Sequence, residues 1–311
     1  MTMEDVAAKG LETSPGAGKP YGVERVCKTW GVPRSSYYGR QAVVRDSEAG
    51  AVAGQAPPRR GPKPIISDDV VLQAIEADLA AAKFAGDGHR KVWARIRREK
   101  GIVVGRNRVL RIMRDNNMLS PSRVPSVLPN EHDGKIVTDA PNIMWATDGI
   151  RIWTVDEGWG WCFPVVEHWN AECLGCHVCK KGDRFAALDP LGQAVQGIFG
   201  STDQDAARGV QLRIDHGPQY LSDYFQNQIG FWGITPSFAF VKQPQTNGVV
   251  ERFNRTLKEQ AIYGRIFRNF EEVRRAVAVF VALYNRHWQL EKLGFKSPLQ
   301  FREEYAIMVA A

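Results

Sequence analysis

The apolar run Leu212-Arg213-Ile214 stops at Asp215 and turns at once on Gly217-Pro218. Proline cannot donate to a ladder, so Asp215 is predicted where a β-strand ends and a turn begins. Thirty-five residues lie between Asp215 and Glu251. Around Glu251 the pattern changes. Val250, Phe253 and Leu257 recur at i, i+3 and i+7, the period of a helix with one buried stripe. Glu251, Arg255 and Lys258 share another face at the same spacing. A carboxylate at a strand end, beside a helix carboxylate followed by cations, is a candidate site for metal and phosphate.

Elements of both kinds surround this stretch. Residues 143–153 read as a strand with Asp148 inside it, and 159–167 and 172–180 as two more, joined by turns at Asp156-Glu157-Gly158 and His168-Trp169-Asn170. A helix over 184–199 comes next, then the Asp215 strand, a helix over 218–229, a short strand near Ile234 and a polar loop to Gly248. Asn269 can cap a final helix, with Glu272 at the capping-box position and Val273, Val277, Phe280, Val281 and Tyr284 on its apolar face. Three strands, helix, strand, helix, strand and then helices make a mixed α/β domain.

Upstream the composition is different. Ten Lys/Arg and one Glu fall between His89 and Arg114, a local charge of +9 in a chain of net charge +7. The remainder is slightly acidic, as expected of a nucleic-acid-binding module joined to a less basic domain. Ser67 can cap a helix over 68–82 with Leu72, Ile75 and Leu79 on one face. A second helix over 89–100 is closed by Gly101. A third, over 106–116, buries Val109, Leu110, Ile112 and Met113 and displays Arg106, Arg108, Arg111 and Arg114. Two helices across a Gly-containing turn, the second rich in Arg, are expected of a helix-turn-helix DNA reader, with Arg90 and Lys91 on the preceding helix also expected to bind DNA. The alternative is a solvated basic helix pair.

Residues 1–20 are rich in Gly, Ala, Ser and Pro and are expected to be poorly ordered. Residues 21–38 read as helix, Gly turn, helix: a second small helix-turn-helix or a plain helical hairpin. The Pro/Gly-rich composition of 41–64 and the proline-rich run 120–142 read as linkers. The resulting domains are 1–64 (tail, hairpin, linker), 65–118 (helix-turn-helix DNA-binding domain), 119–142 (linker) and 143–305 (mixed α/β domain with C-terminal helices). No apolar run reaches the length of a membrane span, and the N-terminus lacks a basic-then-apolar leader, so the chain reads as intracellular with no membrane partner.

Asp148, Asp215 and Glu251 are the carboxylates that stand out. Gathered together they would repel one another unless a cation lay between them, and oxygen donors select Mg²⁺ or Mn²⁺. Taken in order, three motifs carry a resemblance. Trp145-Ala146-Thr147-Asp148, then Asp215-His216-Gly217-Pro218-Gln219-Tyr220, then Asn247-Gly248-Val249-Val250-Glu251-Arg252-Phe253-Asn254-Arg255-Thr256-Leu257-Lys258 resemble the Asp-Asp-(35)-Glu core of retroviral integrases and bacterial insertion-sequence transposases. Tyr284-Asn285-Arg286 and Ser297-Pro298 are similar to that transposase group as well. The likeness runs from about residue 61 onward, and weakly from Tyr21. It implies a ribonuclease-H-like mixed-sheet catalytic domain preceded by a helical DNA-binding region, with Asp148, Asp215 and Glu251 catalytic and metal-binding. It also implies Mg²⁺ dependence, with Mn²⁺ able to substitute, and cutting and joining of double-stranded DNA at inverted-repeat ends and target. Arg255 and Lys258 would hold DNA phosphates. The implied setting is the bacterial cytoplasm, on the nucleoid, as a homo-oligomer on DNA, with an upstream frame as partner or fusion. His216 departs from the small or polar residue that relatives often carry there and reads as a turn histidine.

Two other functions compete: a non-catalytic DNA-binding protein derived from a transposase, and a ribonuclease-H-like nuclease that only cuts. The competing site is Cys173-Leu174-Gly175-Cys176-His177-Val178-Cys179, with Cys162 and His168 nearby. Its Cys-x-x-Cys spacing suits zinc. A zinc knuckle needs a turn there, whereas in a strand residues three apart point to opposite faces, so no zinc is expected. Five cysteines is an odd count for a disulfide framework.

Overall fold

The computed structural model describes residues 3–48, 65–120, 136–238 and 248–310. Of the expected linkers 41–64 and 120–142, residues 49–64 and 121–135 lie outside the described residues, as does the loop at 239–247; residues 41–48 instead continue a helix. The chain divides into two compact units, Met1–Ile65 and Ile66–Ala311.

The first unit holds α1 (Met3–Leu11), α2 (Val23–Trp30) and α3 (Arg34–Glu48). Val6, Val26, Cys27 and Tyr37 form its core. The expectation of a poorly ordered tail therefore fails at α1. One valine, Val6, seals against α2 with 1% of its surface exposed, and that contact outweighs the small-residue composition around it.

The second unit opens with three helices, α4 (Asp68–Ala81), α5 (His89–Glu99) and α6 (Arg106–Asp115). Ser67 caps α4 by accepting from the Val70 amide at 3.3 Å. The buried face of α4 is Val71, Ala74, Ile75 and Asp78, with Leu72 and Leu79 only half-buried. A carboxylate on an apolar stripe needs a partner. Arg95 of α5 supplies it, donating to Asp78 at 2.7–3.1 Å and to Asp87 at 2.7 Å. Val92, Ile96, Val109, Ile112 and Met113 complete this core.

A six-stranded mixed sheet follows: β1 (Met144–Thr147), β2 (Ile150–Thr154), β3 (Gly158–Glu167), β4 (Cys173–Cys179), β5 (Gln211–Ile214) and β6 (Thr235–Phe238). The predicted first strand is broken at Asp148-Gly149 into β1 and β2, both antiparallel to β3. β4 pairs antiparallel with the other edge of β3, while β5 pairs parallel with β1 and β6 parallel with β5. One face carries α7 (Arg184–Phe199), α8 (Pro218–Leu221) and α9 (Asp223–Phe231) over Trp145, Phe163, Val165, Leu212 and Ile214. The helix predicted over 218–229 is split because Ser222 caps α9, accepting from the Phe225 amide at 3.4 Å. The opposite face carries α10 (Gly248–Leu257) and α11 (Phe270–His287) over Ile150, Ile152, Cys162, Val166 and Val178. The fold is thus a mixed α/β sheet covered on both faces, preceded by a helical region. α12 (Pro298–Ala310) ends the described chain.

At Gly175 of β4 a Cβ would fall 2.1 Å from the Pro190 carbonyl oxygen, so only glycine lets α7 lie this close. The β3–β4 register shifts between Val165 and Val166: Val165 pairs Gly175, whereas Val166 pairs Cys173. Leu174 is the extra residue of this bulge, and it reverses the strand parity. Cys173 and Cys176, predicted on opposite faces, both lie on the α11 face.

α5 and the loop before it are joined to the C-terminal part of the chain by direct contacts. The Lys91 ammonium lies 3.2 Å from the centre of the Trp288 ring. Phe84 meets Trp288 edge-on at 4.8 Å, and Gln260 exchanges two hydrogen bonds with the Ala85 backbone. Arg98 donates to the Phe295 carbonyl at 2.9 Å.

Candidate active site

Asp148 and Asp215 are brought level by the sheet. β1 and β5 run parallel with Ala146 opposite Arg213, so each carboxylate stands two residues beyond a matched pair. Asp148 is half-buried in the break between β1 and β2. Gly149 beside it packs against Phe163, and a Cβ there would lie 2.6 Å from the ring. Asp215 is exposed just past β5, and its Oδ1 accepts the Gly217 amide at 2.8 Å. That contact fixes the turn.

Glu251 enters from above, in the first turn of α10. Val250, Phe253 and Leu257 are fully buried, as their spacing predicts, and this fixes the rotation of the helix. Asn254, one turn on and 4% exposed, donates from Nδ2 to Asp148 Oδ2 at 3.0 Å. The sequence reading missed Asn254. Its signal was a polar residue between Phe253 and Leu257, three positions beyond Glu251.

The electrostatics centre on Asp148. Burial raises its proton affinity above the ordinary aspartate value, and the Asp215 charge raises it further. The Asn254 amide, the Gly149 N–H and the Lys258 charge oppose this. Glu251 is raised first by burial and then by Asp148, with Arg255 opposing. Asp148 is therefore within electrostatic reach of both other carboxylates. The three groups are not drawn tight: among the described residues no three His, Cys, Asp or Glu side chains stand in a metal-holding cluster. The donor chemistry nevertheless fits a hard divalent cation, since all three are carboxylates and mutual repulsion is what a cation would relieve. Lys258 begins a π-helical turn, Lys258–Ile262. His216 is exposed, with its ring 5.3 Å from Phe238.

The predicted DNA contacts are placed less uniformly. Arg114 is exposed at the end of α6. Arg106 is exposed with Glu291 at 3.6 Å, and Arg90 donates to Glu291 at 2.7 Å. Arg108 and Arg111 turn inward onto Asp68, Arg108 at 2.7 Å. Lys91 is held by Asp87 at 3.1 Å and by Trp288, and burial lowers its proton affinity. Much of the local charge of the basic segment is thus neutralised by Asp68, Asp78, Asp87 and Glu291, all outside the run from which it was counted.

Two families match the chain. The HTH-like domain matches residues 87–125 and the Integrase core domain residues 232–298. The chain thus resembles an HTH-like module followed by an integrase-type core. The particular relatives include Transposase InsD for insertion element IS2A/D/F/H/I/K of Escherichia coli, 26% identical over 227 residues, covering 70% of this chain and 74% of that one. Transposase InsD for insertion element IS2-9 of Escherichia coli strain K12 is also 26% identical, covering 70% of this chain and 73% of its own. The chain is a homologue of these IS2 transposases. Among solved structures, the simian T-cell lymphotropic virus intasome in complex with PP2A regulatory subunit B56 gamma aligns at TM-score 0.44 and 17% identity, over 70% of each chain. The HTLV-2 integrase catalytic core domain in complex with magnesium aligns at TM-score 0.38 and 18% identity, over 52% of this chain and 97% of that one.

Proposed function

We propose that this chain is a DNA transposase in which Asp148, Asp215 and Glu251 form the catalytic set. The organisation we infer is a DNA-binding domain over residues 65–118, a linker over 119–142 and a catalytic core over 143–305. The single observation that carries the catalytic assignment is the half-buried Asp148 carboxylate, repelled by Asp215 and by Glu251 within an integrase-type core. Residues 143–305 would hold Mg²⁺ through these carboxylates. Bound there, divalent cations activate an attacking oxygen and stabilise the leaving oxygen of a phosphodiester.

The chain's own residues supply position and charge. The matched ends of β1 and β5 hold Asp148 and Asp215 level, and the buried stripe of α10 aims Glu251 toward them. Asn254 fixes one oxygen of Asp148. Arg255 and Lys258 counter the carboxylates and would hold DNA phosphates near them. Water as nucleophile gives cutting, and a DNA 3′-hydroxyl in the same place gives joining. The DNA partners are double-stranded element ends and target, bound by a homo-oligomer in the cytoplasm.

The test is Glu251→Gln, assayed for Mg²⁺-dependent cleavage and strand transfer on a labelled end, alongside DNA binding. The variant is expected to bind DNA with near wild-type affinity and to lose both steps. Strand transfer at near wild-type rate would overturn the assignment. Loss of joining with cutting retained would favour a site that only cuts.

A further inference from the structure

The bulge in β4 gathers three thiols that the catalytic reading does not use. Cys162 of β3 lies opposite Val178, and Cys176 lies opposite Pro164, so the two cysteines are diagonal neighbours on one face. Their sulfurs are 3.4 Å apart. Cys173 joins them because Leu174 is the unpaired residue. Cys162 and Cys173 are buried, whereas Cys176 is partly exposed. It lines a groove of about 510 Å³ between β4, α7 and α11, bordered by Gln193, Arg274 and Val277. The three sulfurs are also unequal. Hydrogen bonds from Cys162 and Cys173 hold the Cys176 thiol well below the usual cysteine range, and Cys162 and Cys173 are pushed up. Cys179, on the other face, is raised by burial to about 11.

We propose that Cys176 and Cys162 are an oxidisable pair, which a hydroperoxide entering the groove converts to a disulfide joining β4 to β3. In the first step the Cys176 sulfur attacks the outer oxygen of hydrogen peroxide. An S–O bond forms, the O–O bond breaks, and the displaced oxygen takes the Cys176 proton and leaves as water. The sulfur loses two electrons to the peroxide and becomes a sulfenic acid. In the second step the Cys162 sulfur attacks the Cys176 sulfur. The S–S bond forms, the S–O bond breaks, and hydroxide departs as water with the Cys162 proton. The sulfurs close from 3.4 Å to about 2.05 Å, a movement within reach of side-chain rotation and a small strand shift. A dithiol reductant reverses the change. Cys162 also pairs with Ile150, two residues beyond Asp148, so the bond adds a cross-link beside the strand that positions a catalytic carboxylate.

The experiment uses the full chain with all five cysteines. Brief iodoacetamide labelling of the native reduced protein is followed by peptide mapping. Cys176 is expected to label at least tenfold faster than Cys179. After hydrogen peroxide and blocking of free thiols, a non-reducing digest should contain a Cys162–Cys176 peptide pair two hydrogens lighter than its reduced parts. Dithiothreitol should abolish it. In Cys162→Ala the reaction should stop at a Cys176 sulfenic acid, trapped by dimedone. Faster labelling at Cys179, a Cys173–Cys176 bridge, or no intrachain bridge would each overturn the proposal. If Cys162→Ala does not fold, the wild-type peptide map decides alone.

Discussion

Gly149→Ala adds one methyl group beside the candidate catalytic aspartate, and the structure sets its cost. The new Cβ would lie 2.6 Å from Phe163 Cε1 and 3.2 Å from Cδ1 and Cζ. Carbon atoms normally rest about 3.5–4.0 Å apart, so the ring or the strand has to yield by about an ångström. The ring has little room. Phe163 is fully buried and stacks on Trp161 at 5.8 Å between centroids. Over-packing of this kind costs about 1–3 kcal/mol. Because Gly149 is bonded to Asp148, part of the displacement reaches the carboxylate. A misplacement of about 1 Å in such a site lowers rate by about 10²-fold. Phe163→Leu removes the obstructing ring atoms. Gly149→Ala in that background should therefore cost less than in wild type, with a coupling of about 0.5–3 kcal/mol. Urea unfolding of the four proteins, at one protein concentration, measures the coupling, and strand transfer on a labelled end measures the displacement. Costs that add to within about 0.5 kcal/mol would refute the reasoning, as would a Gly149→Ala protein as stable and active as wild type.

Other expectations follow from the same geometry. Arg114→Ala should weaken DNA binding and reduce the log–log salt slope by about 0.9, one phosphate contact, in salt titrations by fluorescence anisotropy. Arg108→Ala should instead lower thermal stability, because Asp68 and the Ile66 carbonyl lose a donor, and should change the salt slope little. Asn254→Ala should impair cleavage and joining while binding of DNA persists, since it frees Asp148 from its amide; unchanged strand-transfer rates would count against that contact. His168 is held neutral by burial, which lowers its pKa from 6.5 to about 4. The unfolded chain then binds the extra proton between those values, so this stability is complete above about pH 6.5 and is lost as pH falls toward 4. His168→Gln should flatten that part of the denaturation profile measured by circular dichroism.

What was legible in the sequence depended on how far each residue reaches. Ser67 capping α4 and Asn269 capping α11 act within one turn, and both form as read, Asn269 accepting the Glu272 amide at 3.1 Å. The stripe of α10 follows from its period alone. The level placement of Asp148 and Asp215 was not legible, because it depends on the parallel pairing of β1 with β5 rather than on either strand. Asp78 escaped notice because its partners, Arg95 and the helix beneath, are defined only after α4 and α5 pack. Lys91 and Arg90 were counted as surface cations; Trp288 and Glu291, which occupy them, are about two hundred residues away. The cysteine parity failed for a different reason. A bulge inserts one residue into one strand of a pair, and nothing local to Cys173-Leu174-Gly175-Cys176 announces it.

The contacts that seat α5 on the C-terminal part of the chain would, under the proposed function, have a consequence measured in base pairs. Lys91 against Trp288, Gln260 against the Ala85 backbone and Arg98 against the Phe295 carbonyl tie α5 and the loop before it to the C-terminal part of the chain. If the proposed function holds, a protein of this build would act as a caliper rather than as two hands on a cord. Under the proposed function, the interval between a sequence gripped by α6 and the bond presented to Asp148 would be set by the protein and be the same at every end. Duplex DNA turns once in about 10–10.5 base pairs, so five extra pairs within that interval would carry the scissile phosphate to the far side of the helix. Ten would restore its facing but not its distance. Ends recognised by such a chain should therefore tolerate changes of base more readily than changes of length.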